Sequence, residues 1–370
     1  MAAPFEINPT FCFTLVGSFV IYLWTRPPRT AWLAVLIIAW ALRATCIRVM
    51  GGLGAYYGVQ WISWGAFLGI ASLLILALQI VLSARTEREA LRQTFYAAAV
   101  FPLCSMLIGY ALPLTIRLRP KTLDAFLLVF DGNLGFQPSF SLGRFLASRP
   151  TLWDLTTVIY YAMPLGAAFL YGAYRVRTRQ LVAMLALFLT LMAAGWVEYV
   201  IFPAVGPGYA FHDWYPFRPP NLAGTAIQLM AIPAGARNCM PSLHLAGALI
   251  VWWNSRIWPG WGRLLAFAFL LGTIISTLGL GEHYLADLVA AYPFALMVQA
   301  GWTRASDSAR QRRDALWLGG GLTIVWLLLL RYGLCLFLIS PAISWGLIAL
   351  TVGVCEGAER RLGAVIQHLR

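Results

Sequence analysis

The chain has 370 residues, 60% of them hydrophobic and 11% charged, with a mean hydropathy of +0.74 and a net charge of +13. A soluble globular protein carries about 25% charged residues, so this composition excludes that class and indicates a polytopic membrane protein. The positive charge does not point to nucleic acid: the basic residues are spread through short loops between apolar runs, the pattern of the positive-inside rule.

In chain order, nearly charge-free windows predict eleven spans, at about 10–25, 31–50, 61–83, 94–116, 152–174, 181–203, 240–255, 262–281, 283–302, 315–331 and 333–355. Residues 1–10 have no basic n-region and no small-residue cleavage site follows, so no secretory signal peptide is expected. Alternate loops hold Arg26/Arg29, Arg85/Arg88/Arg92, Arg175/Arg177/Arg179, Arg256/Arg263, Arg304/Arg310/Arg312/Arg313 and Arg360/Arg361/Arg370, which is 17 of the 27 basic residues. That asymmetry predicts an outside N-terminus and a cytoplasmic C-terminus. Trp24, Trp32, Trp61, Trp153, Trp258 and Trp261 lie near predicted span ends, as in an aromatic belt. Lys121 is the only lysine, a bias that points to a GC-rich bacterial genome and hence to the inner membrane. Arg43 and Arg48 fall in the second run, where they either neutralise lipid phosphates or simply sit near its end.

Two long connections share the outer side. Residues 117–151 are apolar but interrupted by Asp124, Asp131 and Arg144, and read as a helix lying in the interface. Residues 204–239 are dense in proline and read as a structured loop over the site or a flexible lid. The six cysteines show no CxxC pairing and read as small buried hydrophobes, not as disulfides or a metal site; only Cys239 is expected to offer an accessible thiol.

The chemistry concentrates in Met240-Pro241-Ser242-Leu243-His244 and in the run from Ser276 to Asp287. Thirty-nine residues separate His244 from His283, enough at roughly 1.5 Å per residue for a hairpin that leaves the membrane face and returns to it. The two histidines, from a total of four, are therefore expected on one face, and the charge count puts that face outside. His283 and Asp287 are four residues apart, one helical turn. A carboxylate there fixes the imidazole tautomer and leaves the other nitrogen free as nucleophile or base; the alternative is a structural polar pair. Ser242 falls in the first turn of its helix, whose free N–H groups favour an anion, and Arg237 just upstream has the fork geometry to bind phosphate. Glu198, Glu282 and the His212–Asp213 pair are further polar residues, read mainly as structural or solvated.

The pair of motifs resembles the second and third signatures of the type-2 phosphatidic acid phosphatase superfamily, P-S-G-H and S-R-x5-H-x3-D. The chain matches at Pro241, Ser242 and His244, and at Ser276, His283 and Asp287. It departs at Leu243 for glycine and Thr277 for arginine, and has no intact K-x6-R-P motif; Arg218-Pro219 stands in that region with Phe211 in place of the lysine. PSLH with HYxxD and a following YPF is similar to the inositol phosphorylceramide synthase branch. The resemblance implies an all-α integral membrane enzyme, with about eleven transmembrane helices around a six-helix core at 94–302, a three-helix extension at 1–93 and a two-helix extension with a cytoplasmic tail at 303–370. It implies transfer of a phosphate-containing headgroup between lipids, with His283 as nucleophile held by Asp287, His244 as general acid, and Arg237, Ser242 and Arg218 at the phosphate. It calls for no cofactor and no metal. The partners are a lipid donor, a lipid or water acceptor and the bilayer; no oligomeric state follows. Hydrolysis of a lipid or polyprenyl phosphate is the neighbouring reading. A transporter with a His/Asp proton relay is the reading from another class, and clustering of the ionisable groups at one face counts against it.

Overall fold

The computed structural model describes residues 9–50, 60–177, 182–222, 226–303 and 309–368, and its regular structure is almost all helix. In chain order the helices are α1 (Pro9–Leu23), α2 (Arg29–Met50), α3 (Gln60–Leu82), α4 (Arg85–Leu118), α5 (Asp124–Gly132), α6 (Pro138–Ala147), α7 (Pro150–Tyr161), α8 (Met163–Arg177), α9 (Met184–Ile201), α10 (Pro207–Ala210), α11 (Leu243–Asn254), α12 (Gly260–Gly279), α13 (Leu285–Trp302), α14 (Ala309–Tyr332), α15 (Leu334–Leu338) and α16 (Pro341–His368). The start of the chain, Arg179, Arg304 and Arg370, and the side chains of Trp61 and Arg177, all used in the topology reading, lie outside what is described.

Among the described residues, eight helices are long and apolar enough to cross a membrane: α2, α3, α4, α9, α12, α13, α14 and α16. The protein is an integral membrane protein. Three of the eleven expected spans take other forms. The first is the 15-residue α1, the fifth is the broken pair α7 and α8, and the seventh is the 12-residue α11.

The chain divides into two compact units, residues 1–109 with 161–178, and residues 110–160 with 179–370. In the first, α1 packs on α3 and α8, and α2 on α3, around Ile21, Tyr22, Ala71 and Leu76. Gly69 lets α3 approach α1 closely; a Cβ there would stand 2.0 Å from the Leu15 carbonyl oxygen.

The second unit is built on α13, which contacts α5, α9, α11, α14 and α16. Its sequence, LADLVAAYPFALMVQAGW, is small and apolar on every side, so no side faces water and most of the helix is buried. Asn254 and Gln299 exchange side-chain hydrogen bonds and lock α11 to α13. On α12 the small polar Thr273, Ser276 and Thr277 point inward while Leu264, Leu265 and Leu271 are exposed, the distribution expected of a helix facing lipid.

Both long connections fold into this unit. Residues 117–151 form the end of α4 and two short helices, α5 and α6, rather than one interfacial helix, and Asp124 and Asp131 are buried. Apart from α10 and the pair Met230–Ala231, the described residues of 204–239 are irregular, as their prolines dictate. They are pinned by a short antiparallel pairing, Lys121 with Ala231 and Thr122 with Met230.

Candidate active site

Three segments of the second unit meet at one end of α11, α12 and α13. The N-terminus of α11 is capped by Ser242, whose hydroxyl accepts from the Leu245 amide at 3.3 Å. The Ser242 amide donates to the Asp287 carbonyl at 3.2 Å and so docks this helix end on the first turn of α13. His244 follows two residues later and is half-buried. The chain leaves α12 through a tight turn in which the Glu282 and His283 amides donate to the Thr277 carbonyl at 3.2 and 3.1 Å. Gly281 makes that turn at φ +76°, against the ring of Tyr215, whose hydroxyl donates to the Gly279 carbonyl at 2.6 Å. His283 then lies just before α13, with Asp287 in its first turn.

The expected hairpin does bring the histidines together. The His244 and His283 rings are 6.2 Å apart between centroids. His283 Nδ1 stands 3.6 Å from Asp287 Oδ2, slightly beyond a hydrogen bond, and both residues are buried. No described residue hydrogen-bonds His283 Nδ1 or Asp287 Oδ1. Asp287 Oδ2 accepts from the Tyr284 amide at 2.7 Å and from the Cys239 thiol at 2.7 Å. Burial lowers the His283 pKa to about 3, so the ring is neutral at physiological pH and one nitrogen lone pair is free.

Cys239 is fully buried, against the expectation of an accessible thiol. One ligand atom each from Cys239, His283 and Asp287 falls within 4.8 Å of the others, close enough to hold a metal ion. Without an ion, the Cys239 thiol has the Asp287 carboxylate as its acceptor.

The other expected site residues differ in placement. Arg237 is fully buried, and its guanidinium donates to the carbonyls of Arg119, Pro120, Ile232, Ala234 and Gly235 at 2.6–3.3 Å. All five of its N–H donors are therefore engaged, which corrects the phosphate role expected of it. Ser242 is also fully buried, with its hydroxyl committed to the helix cap. Arg218 is exposed, on the loop that carries Tyr215 to Gly281. Thr277, which stands where the superfamily has arginine, is buried and donates to the Thr273 carbonyl at 2.8 Å. Leu243 packs against Gly195 of α9, where a Cβ would fall 2.4 Å from its Cδ2, so this contact needs the glycine. His212 and Asp213 pair at 3.1 Å in the open, and no described residue hydrogen-bonds Glu198 Oε2.

Four contributors are not evident from the motifs. Tyr160 stacks on His244, with ring centroids 3.9 Å apart, and donates to Glu282 Oε2 at 3.3 Å. Ser139 donates to the His283 carbonyl at 2.7 Å. Asp124 and Asp131 bind backbone amides around the site. Burial raises Asp124 to about 6, Asp131 to about 8 and Glu282 to about 7, the last opposed by the Tyr160 hydrogen bond.

This geometry sits inside a recognisable sequence region. Residues 125–301, a little under half of the chain, match the family model of the PAP2 superfamily. The match supports a lipid phosphatase or phosphotransferase enzyme, and it contains His244, His283 and Asp287. No curated protein and no solved structure matches the chain.

Proposed function

We propose that the protein transfers a phosphate-containing headgroup between lipids through a phosphohistidine on His283. The observation that carries this reading is the convergence of His244, His283 and Asp287 within the segment that matches the PAP2 superfamily, with the rings 6.2 Å apart and the carboxylate 3.6 Å from Nδ1. In the first step His283 Nε2 attacks phosphorus, a P–N bond forms and the P–O bond to the donor lipid breaks. His244, protonated as the anionic substrate binds beside it, gives that proton to the departing oxygen. Asp287 closes on the Nδ1–H as the ring gains charge. In the second step the acceptor oxygen attacks phosphorus, its proton returns to His244, and the P–N bond breaks. The first turn of α11 and the exposed Arg218 are the positive groups left for the equatorial oxygens once Arg237 and Thr277 are set aside.

In this reading the chain crosses the membrane about eleven times, with α1, the α7–α8 pair and α11 as the short or broken crossings. Residues 94–302 form the catalytic six-helix core, and residues 1–93 and 303–370 are additions. The site faces the periplasm of a bacterial inner membrane and the C-terminus is cytoplasmic. The PSLH and HYxxD details support a transferase similar to inositol phosphorylceramide synthases over a hydrolase.

The test is mass spectrometry of lipids incubated with the purified protein and with His283→Ala, using glycerophospholipids, ceramide, diacylglycerol and polyprenyl phosphates. A new phospholipid made only by the wild type, without free phosphate, supports transfer. Phosphate released only by the wild type makes the protein a phosphatase. Turnover retained by His283→Ala refutes the nucleophile.

A further inference from the structure

The first and eighth residues of α5 are Asp124 and Asp131, two helical turns apart and so on one face. Both are fully buried, an arrangement that needs partners to be tolerated. Asp131 supplies Oδ2 to the Leu285 amide at 2.8 Å and Oδ1 to the Ala286 amide at 3.2 Å. These are the first two amides of α13, groups that a helix cannot satisfy internally. Asp124 accepts from the Val205 amide at 3.2 Å, the Gly206 amide at 3.0 Å and the Tyr284 hydroxyl at 3.0 Å. Asp287 takes the Tyr284 amide.

Three consecutive amides, at 284, 285 and 286, are therefore closed by carboxylates of the protein itself. The N-terminus of α13 is not an open anion site. It is a clamped one, and the clamp begins one residue after His283. No described residue hydrogen-bonds His283 Nδ1, so beyond its contact with the Cys239 backbone the ring is placed by its own backbone, held on one side by Ser139 at the His283 carbonyl and on the other by α5.

We infer that Asp131 is a positioning residue, acting through the first turn of α13 to aim His283 and to set its distance from Asp287. This rests on the reading of His283 as nucleophile. Asparagine at 131 keeps one acceptor but turns an NH2 toward the second amide. Alanine leaves both amides without a partner.

Orthovanadate, which takes up the five-coordinate geometry of phosphoryl transfer, is the probe. Binding to the full-length protein in detergent is measured for wild type, His283→Ala, Asp131→Asn and Asp131→Ala, with thermal unfolding of each. Exposed Asp314 supplies the control, Asp314→Asn. A misplacement of about 1 Å in a reacting group costs on the order of 100-fold, so Asp131→Asn is expected to weaken vanadate at least tenfold while most of the protein stays folded. Asp131→Ala is expected to weaken it further, and Asp314→Asn not at all. Loss of binding in His283→Ala alone, with wild-type affinity in Asp131→Asn, overturns the positioning role and leaves the nucleophile standing. Full affinity in His283→Ala, or no binding by the wild type, removes the nucleophile reading and the clamp with it. A fall in unfolding temperature with unchanged affinity of the folded protein makes Asp131 merely structural, and also overturns the inference.

Discussion

Replacing Arg237 separates a structural cation from a phosphate ligand. Its five N–H donors serve five backbone carbonyls, from the end of α4 and from residues 232–235, in a stretch that prolines keep out of regular structure. A buried acceptor left without a partner costs about 1 kcal/mol or more, so Arg237→Ala exposes a loss of about 5 kcal/mol. Water entering the space recovers part of this, and ~3 kcal/mol is the expected net destabilisation. Lysine brings three donors instead of five, so Arg237→Lys leaves two carbonyls bare and costs roughly 2 kcal/mol. The assay pairs thermal unfolding in detergent with lipid turnover at several substrate concentrations. Graded loss of unfolding temperature, alanine below lysine below wild type, is expected, with KM for the surviving folded enzyme little changed. Wild-type unfolding of Arg237→Lys together with a large rise in KM would refute the reasoning and return Arg237 to the phosphate.

Three further substitutions or titrations follow from the site. Gly206 sits at φ +89° with a virtual Cβ 2.3 Å from the Glu282 carbonyl oxygen, so Gly206→Ala should cost ~2 kcal/mol or more and push His283 out of place, read as at least a tenfold loss of turnover. Cys239→Ala removes a donor that competes for Asp287 Oδ2; turnover within about threefold of wild type and a stability loss of about 1 kcal/mol are expected, whereas a hundredfold loss of turnover would give the thiol a direct part in catalysis. Asp124 and Asp131 are held at about 6 and about 8 by burial, above the ordinary carboxylate range, so the folded state binds more protons than the unfolded. Their stabilisation is complete below about pH 4 and fades as pH rises through 6 and then 8; an unfolding temperature that climbs steadily over that window would contradict this.

The helical membrane class and the meeting of the two histidines were legible because both rest on long-range regularities. Apolar windows of fixed length mark spans, and a 39-residue separation returns a hairpin to its starting face. What was not legible depends on backbone groups that carry no sequence signature. Arg237 looked like a phosphate ligand because its side chain suits one, and nothing in the sequence reveals five carbonyls converging on it. Asp124 and Asp131 read as interruptions of an apolar interfacial helix, although their seven-residue spacing on that stretch was itself a sign of one buried acidic face. Tyr160 lies 84 positions before His244 in a segment read only as a span, and its stacking arises from tertiary packing alone. The 12-residue α11 shows the limit of window counting: Pro241 and the Ser242 cap begin it late, and a turn at Ser255 ends it early.

The balance of charge around the histidines leads to the last prediction. Glu282, Asp131 and Asp124 surround a site meant for an anion, while Arg237 has no donor to offer it. Fully ionised, these carboxylates would repel a phosphate ester. Burial holds Glu282 at about 7 and Asp131 at about 8, so both carry protons for much of the time near neutrality and the repulsion is muted. Glu282 is the one coupled to His244, through the Tyr160 ring and hydroxyl. As pH rises above 7 it ionises, and KM for an anionic lipid should rise with it. The sign is fixed: a new negative charge can only weaken binding of another. Glu282→Gln keeps the shape and cannot ionise, so its KM should stay flat between pH 6 and 7 and climb less than that of the wild type up to pH 9, where only Asp131 is left to ionise. Use of a phosphodiester lipid keeps the substrate charge constant across the range. Parallel curves for the two proteins would mean that Glu282 does not face the substrate, and the site would then need its positive groups, Arg218 first, to account for binding.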